Sequence, residues 1–148
     1  MSEKTKKLLI VDDEVLICEY LSELLEELAD EIFVAYDGEK ALEILKEESI
    51  DCVVCDVKMP KLTGIEVIKA VRELGNEVPF IIYTGHGSED LMRQFIPYGA
   101  FDFFNKPHMT GLWEAVNRAF IGAERTEEDN DFMSEYQKLL KTWKDEEK

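Results

Sequence analysis

Basic residues are scarce in this chain. Lys and Arg number 17 against 33 Asp and Glu, a formal net charge of −16 over 148 residues. Such a surface repels phosphate backbones, and the basic footprint of direct nucleic-acid binding is missing. Anionic membrane surfaces are disfavoured for the same reason. No apolar run approaches the roughly 20 residues of a membrane span, so membrane insertion is not expected. The stretch Met1-Ser2-Glu3-Lys4-Thr5-Lys6-Lys7 is basic, but the apolar run behind it is four residues long and ends in Asp12-Asp13, unlike a secretory signal. Three cysteines, Cys18, Cys52 and Cys55, are too few and odd in number for a disulfide scaffold. These absences predict a cytoplasmic protein in a reducing compartment. Internal repeats and low-complexity tracts are absent too. What is present is 45 % hydrophobic residues in a length that suits one domain (about 100–200 residues), enough for a core.

Short apolar runs alternate with helical patterns. Leu8-Leu9-Ile10-Val11 reads as a strand buried on both faces. From Glu14 to Leu28, Ile17, Leu21, Leu24, Leu25 and Leu28 recur at helix period. A second strand is expected over Glu31–Ala35 and a second helix over Gly38–Glu47, with Asp37 as N-cap. The third strand is Cys52–Cys55; its C-x-x-C spacing puts the two thiols on opposite faces, which favours core packing over a metal clip. A loop through Pro60 leads to a helix over Ile65–Leu74. The fourth strand is Pro79–Tyr83 and the next helix Ser88–Ile96, interrupted by Pro97 and stopped at Gly99. Its Met92, Phe95 and Ile96 suit packing or a partner face. The fifth strand is Phe101–Phe104 and the fifth helix Thr110–Ala123. Five strands alternating with five helices predict an α/β fold around a parallel sheet, with helices on both faces.

Residues 124–148 differ. Glu124–Asp131 is polar and acidic, and Phe132, Met133, Tyr136, Leu139, Leu140 and Trp143 form one helical stripe. This sixth helix either packs back on the domain of residues 1–123 or serves as an interaction helix for a partner or a second copy.

In an open parallel sheet, ligands bind at the carboxyl ends of the strands. There the sequence places Asp12 and Asp13, Asp56, Thr84 and Lys106. In a 2-1-3-4-5 strand order these residues meet in one cleft. Three crowded carboxylates raise one another's pKa values, and a divalent cation relieves the repulsion. Mg²⁺ suits a few carboxylates, waters and phosphate oxygens. Asp56 can then act as a nucleophile toward a phosphoryl group, with the metal and Lys106 neutralising charge and Thr84 donating to the product.

The set Asp12-Asp13, Asp56, Thr84 and Lys106-Pro107, each at a strand end and in this order, resembles the receiver domain of two-component response regulators. Met59-Pro60, Gly64 and Gly99-Ala100 support the resemblance, which runs from about Lys7 to Ala123. It implies a flavodoxin-like (βα)5 doubly wound sheet, here with an extra C-terminal helix. It implies Asp56 as phosphoacceptor, and Mg²⁺ held by Asp13 and Asp56 directly, by Asp12 largely through water, and by the backbone carbonyl of Lys58. It also implies Lys106 as the phosphoryl contact, Thr84 as the switch hydroxyl and Phe103 as the switch aromatic, buried when Thr84 moves. The donor it implies is a phosphohistidine on a histidine kinase or phosphotransfer protein, and the readout a protein target on the face of helix four, strand five and helix five. Lys58 and His86 stand at positions that tune phosphate lifetime in the family. His86 and His108 otherwise read as surface residues. The bond before Pro107 is often cis in relatives.

Two other classes compete. A hydrolase of the haloacid-dehalogenase type needs a second acid two residues after the nucleophile, where this chain has Lys58. A receiver-like adaptor that never carries phosphate would work by homodimerisation or partner binding. The 25 residues after Ala123 are too few for a typical DNA-binding output domain, and carry nine acidic against five basic residues. Output through protein contact is the expectation.

Overall fold

The computed structural model describes residues 5–106, 111–122 and 134–146. Pro107, His108, Thr110, Ala123, the acidic stretch 124–131, Phe132 and Met133 lie outside the described residues. Five parallel strands form the sheet: β1 (Lys7–Val11), β2 (Glu31–Ala35), β3 (Cys52–Cys55), β4 (Phe80–Thr84) and β5 (Asp102–Asn105). Their order is β2-β1-β3-β4-β5, as expected. Between them run α1 (Val15–Leu25), α2 (Gly38–Glu47), α3 (Gly64–Glu73) and α4 (Glu89–Phe95); α5 (Leu112–Ile121) and α6 (Glu135–Glu146) follow. No helix among the described residues is long and apolar enough to cross a membrane.

Strand alternation divides the core into two layers. Leu9, Val11, Val53, Cys55, Phe80, Ile82 and Phe103 face the layer covered by α2, α3, α4 and α6. Leu8, Ile10, Cys52, Val54, Ile81, Tyr83 and Phe104 face the layer under α1 and α5. Strands β3 and β4 are buried along their whole length and β1 from Leu8 to Val11, which is why these stretches read as apolar runs. Each fully buried Leu or Ile here contributes roughly 1.5–3 kcal/mol relative to exposure.

Local chemistry sets the boundaries. Asp37 caps α2 by accepting from Lys40 N–H at 2.8 Å, as the sequence predicts. Thr63 and Glu66 form a reciprocal capping box at the start of α3. The regular helix α1 ends at Leu25, three residues short of the periodic pattern. A tighter turn, closed by Leu28 N–H to Leu25 O at 3.0 Å, still carries Leu28 onto the core. After α4 the chain tightens into a 3-10 turn, Ile96–Tyr98, around Pro97. Gly99 ends it at φ 68, a left-handed conformation that glycine adopts without strain.

The sixth helix packs back on the sheet. Tyr136 is fully buried, while Leu139, Leu140 and Trp143 lie partly buried against the same layer. The apolar stripe of this helix is thus engaged within the chain, as the first of the two readings expects.

Cys52 and Cys55 fall in opposite layers, and all three thiols are free and buried. Burial pushes the Cys18 thiol up to about 11 and drives those of Cys52 and Cys55 higher still. In native buffer at pH 8, none of the three is expected to react with a thiol reagent on the minute scale. All three should titrate in denaturant. Rapid native labelling of Cys52 or Cys55 would contradict the burial of β3.

Candidate functional site

Asp12, Asp56 and Lys106 each stand one step past a strand, held by the last rung of the ladder. Asp12 N–H donates to Ala35 O at 3.1 Å, Asp56 N–H to Val11 O at 2.9 Å, and Lys106 N–H to Thr84 O at 2.7 Å. The sheet therefore delivers these side chains to one place. Lys106 Nζ lies 3.0 Å from Asp12 Oδ2 and 3.3 Å from Asp56 Oδ2. One oxygen from each of Asp12, Asp13 and Asp56 lies within 4.8 Å of the others. Asp12 and Asp56 are buried and Asp13 is exposed, so the cluster is open on Asp13's side.

The remaining oxygens of the two buried carboxylates are satisfied locally. Asp12 Oδ1 accepts from Glu14 N–H at 2.9 Å, and Asp56 Oδ1 from Val57 N–H at 2.7 Å. Gly64 lets α3 begin directly against this point: a Cβ there would lie 2.6 Å from the Asp56 carbonyl oxygen. The capping box of α3 thus sits where the phosphoacceptor candidate is anchored.

Electrostatics follow from burial and pairing. Burial holds the Asp56 carboxyl above its ordinary value; Lys106 pulls it back and Asp12 pushes it further up. Desolvation, more than carboxylate crowding, is thus the main cause. At Lys106 the balance reverses. Burial alone would lower the ammonium, but hydrogen bonding to Asp12 and the charge of Asp56 outweigh it and raise it. The ammonium also lies 5.4 Å from the centroid of the Tyr83 ring. Three convergent carboxylate oxygens form a hard-oxygen donor set suited to a small divalent cation.

The other predicted residues lie on the neighbouring elements. Thr84 is buried at the end of β4, and its hydroxyl accepts from His86 N–H at 3.4 Å. Lys58 and His86 are exposed in the loops after β3 and β4. Phe103 is already fully buried: it meets Phe95 edge-on at 5.9 Å and stacks on Tyr136 at 6.1 Å. The expected burial of Phe103 as a consequence of switching therefore does not describe this arrangement, because α6 already covers the ring.

Sequence reasoning missed three features. Gly87 approaches β5 so closely that a Cβ there would lie 2.0 Å from Asn105 Oδ1 and 2.8 Å from Phe103 Cε1. Asp102 is buried on β5, accepting from Ser134 Oγ at 2.6 Å and facing Arg118 at 3.8 Å. Val15, Leu16 and Tyr20 are exposed apolar side chains just after the acidic pair. Only the last carried a signal, an apolar pair immediately following Asp12-Asp13-Glu14.

Comparison with known proteins gives a coherent picture. The profile of the response regulator receiver domain matches residues 8–117. The transcriptional regulatory protein CpxR of Escherichia coli K12 is 42 % identical over 101 residues, 68 % of this chain and 43 % of CpxR. The response regulator protein TodT of Pseudomonas putida F1 is 31 % identical over 107 residues, 72 % of this chain and 47 % of TodT. The chain spans less than half the length of these curated relatives. Among solved structures, a response regulator receiver domain from Clostridium thermocellum is 34 % identical with a TM-score of 0.72, covering 79 % of this chain and 95 % of its own. The chemotaxis protein CheY4 of Vibrio cholerae is 29 % identical with a TM-score of 0.72, covering 78 % and 99 %.

Removing the ammonium tests the site's electrostatics. Lys106→Met leaves Asp12 and Asp56 unpaired, and should destabilise the fold by on the order of 3 kcal/mol at pH 7. The Asp56 carboxyl, already raised, rises further without its partner. A folded-state value above the unfolded one penalises folding as pH rises through it. The variant's deficit should therefore shrink toward pH 5, and saturating Mg²⁺ should restore part of it at pH 7. Urea unfolding at the two pH values measures this; a deficit independent of pH and Mg²⁺ would refute it.

Proposed function

Because the chain belongs to the response regulator receiver family, we propose that Asp56 accepts a phosphoryl group from a phosphohistidine on a histidine kinase or phosphotransfer protein. The observation that carries this reading is the Lys106 ammonium bonded to both Asp12 and Asp56 within a cluster of three carboxylates.

An Asp56 carboxylate oxygen attacks the phosphorus. The new O–P bond forms as the N–P bond of the phosphoimidazole breaks, and the bonding pair stays on the ring nitrogen, which takes up a proton. The residues divide the remaining work. Lys106 neutralises charge on the phosphoryl oxygens and keeps Asp56 ionised against the pull of burial. Asp13, Asp56, Asp12 and the backbone carbonyl of Lys58 would hold Mg²⁺, which when bound would supply further positive charge to the phosphoryl oxygens. Thr84 gives up its long contact with His86 N–H and donates its hydroxyl to the acyl phosphate. Lys58 and His86, both exposed in the flanking loops, set how readily water reaches that phosphate.

Two surfaces support the partners this reading requires. Val15, Leu16 and Tyr20 present an apolar patch on α1, next in sequence to the acidic pair, suited to docking a donor protein. The switched surface is the α4–β5–α5 face, with Phe103 as its aromatic. A net charge of −16 favours output by protein contact over DNA. The cytoplasm, where the family's donors act, is the proposed compartment.

The energies are adequate. A charge-assisted hydrogen bond from Thr84 to the phosphate contributes roughly 1.5–3 kcal/mol, and the Lys106 contact a comparable amount. Their sum approaches the about 5.5 kcal/mol that inverts a 1:99 equilibrium.

Intact-mass measurement after incubation with acetyl phosphate tests the proposal. A gain of one phosphoryl group is expected with Mg²⁺, and none with EDTA or in Asp56→Asn. A gain that persists in Asp56→Asn would overturn the assignment. No gain from acetyl phosphate or from a panel of phosphorylated kinases would favour an adaptor that does not carry phosphate.

A further inference from the structure

The feature that the proposed chemistry leaves unexplained is α6. It lies against β5 and α4, on the face where a receiver's output is expected. Its attachment is concentrated at one place. Tyr136 is its one fully buried residue; the ring stacks on Phe103 with an interplanar angle of 18°, and the hydroxyl donates to Ala100 O at 2.7 Å. Gln137 Nε2 donates to Phe101 O at 2.7 Å, and Ser134 Oγ to Asp102 Oδ1 at 2.6 Å. Three successive residues, Ala100 and Phe101 leading into β5 and Asp102 at its start, are thus each held by the first turn of α6 or by Ser134 just before it.

Phe103 also touches the site's other side. The loop that begins at Thr84 brings Gly87 against two β5 side chains: a Cβ there would lie 2.0 Å from Asn105 Oδ1 and 2.8 Å from Phe103 Cε1, so no side chain fits. Phe103 therefore stands between the switch hydroxyl's loop and the anchor of α6. We infer that α6 is an intramolecular ligand of the α4–β5 face, and that phosphoryl binding at Asp56 weakens its hold through Thr84, Gly87, Phe103 and Tyr136. The inference rests on the receiver reading above.

The direction follows from packing. Drawing the Thr84 hydroxyl toward a group on Asp56 pulls the Gly87 segment away from Phe103. A close-packed interior does not leave that space empty. The ring moves into it, away from Tyr136, and the stack that seats α6 is lost. Isolated helices as short as α6 (12 residues) are marginal in water, so a released α6 also unwinds. The face it covered then becomes available to a partner. Linkage makes the effect reciprocal: if phosphoryl binding loosens α6, loosening α6 strengthens phosphoryl binding by the same factor.

Hydrogen-exchange mass spectrometry on the full chain, with beryllofluoride and Mg²⁺ as the phosphoryl mimic, reads both sides of this coupling at equilibrium. Beryllofluoride is expected to speed exchange in residues 134–146 by about fivefold or more, the lower end of typical coupling. Tyr136→Ala should show fast exchange there without the mimic, no further rise with it, and beryllofluoride affinity about fivefold tighter. Tyr136→Phe keeps the ring and should keep the response. Exchange in 134–146 that is unchanged or slowed, while peptides around Asp56 report bound mimic, would overturn the inference and leave the receiver reading intact. Absence of both mimic binding and phosphoryl gain would remove the receiver reading and this coupling with it. The wild-type comparison decides the matter even where Tyr136→Ala fails to fold.

Discussion

Lys106 reaches from the end of β5 to carboxylates at the ends of β1 and β3, and this contact joins the strands' separate termini into one site. Without a cation, Asp12, Asp13 and Asp56 would be three mutually repelling groups in a partly desolvated pocket. With it, two are paired, and the pocket retains an open side at the exposed Asp13. The cost of holding buried charge is offset by hydrogen bonds from Glu14 N–H and Val57 N–H, which fix the Asp12 and Asp56 carboxylates to the backbone. Pre-organisation of this kind lets a small ligand at the carboxyl edge be felt by several strands at once.

The second organising element is β5. On one side it pairs with β4, Thr84 opposite Asn105, and so shares a rung with the buried Thr84 hydroxyl. On the other it is the edge of the sheet, where α6 engages Ala100 and Phe101 just before the strand and Ser134 engages Asp102. Its alternating side chains serve both layers: Phe103 faces α4 and α6, while Asp102 faces Arg118 of α5. A single short strand therefore touches each structural unit that the site is proposed to govern.

Much of this was legible in the sequence. The strands buried on both faces, β1, β3 and β4, announced themselves as apolar runs ending in Asp or Thr, and the end of each run placed a site residue. Asp37 and Pro97 marked helix boundaries by their own local chemistry. What was not legible depended on contacts between distant segments. The periodicity of α6 gave a helix with an apolar stripe, but nothing local distinguished packing on this chain from packing on another. The stack of Tyr136 on Phe103 joins positions far apart in sequence, and the tight approach of Gly87 to that ring is invisible in a run of small loop residues. Asp102 read as an ordinary polar residue in a strand because its partners, Ser134 and Arg118, lie beyond any local window.

The way α6 covers β5 has a consequence for the protein's behaviour as a solute. An uncovered edge strand offers unpaired backbone groups to any neighbouring chain, and such edges seed self-association. Here α6 occupies carbonyls at Ala100 and Phe101, the two residues that lead into the edge strand, and buries the adjoining aromatic ring. The same helix thus acts as a guard against unwanted strand addition. A form of the protein that dwelt long without it would carry a sticky margin, so colloidal stability sets an upper limit on how long that edge can stay bare.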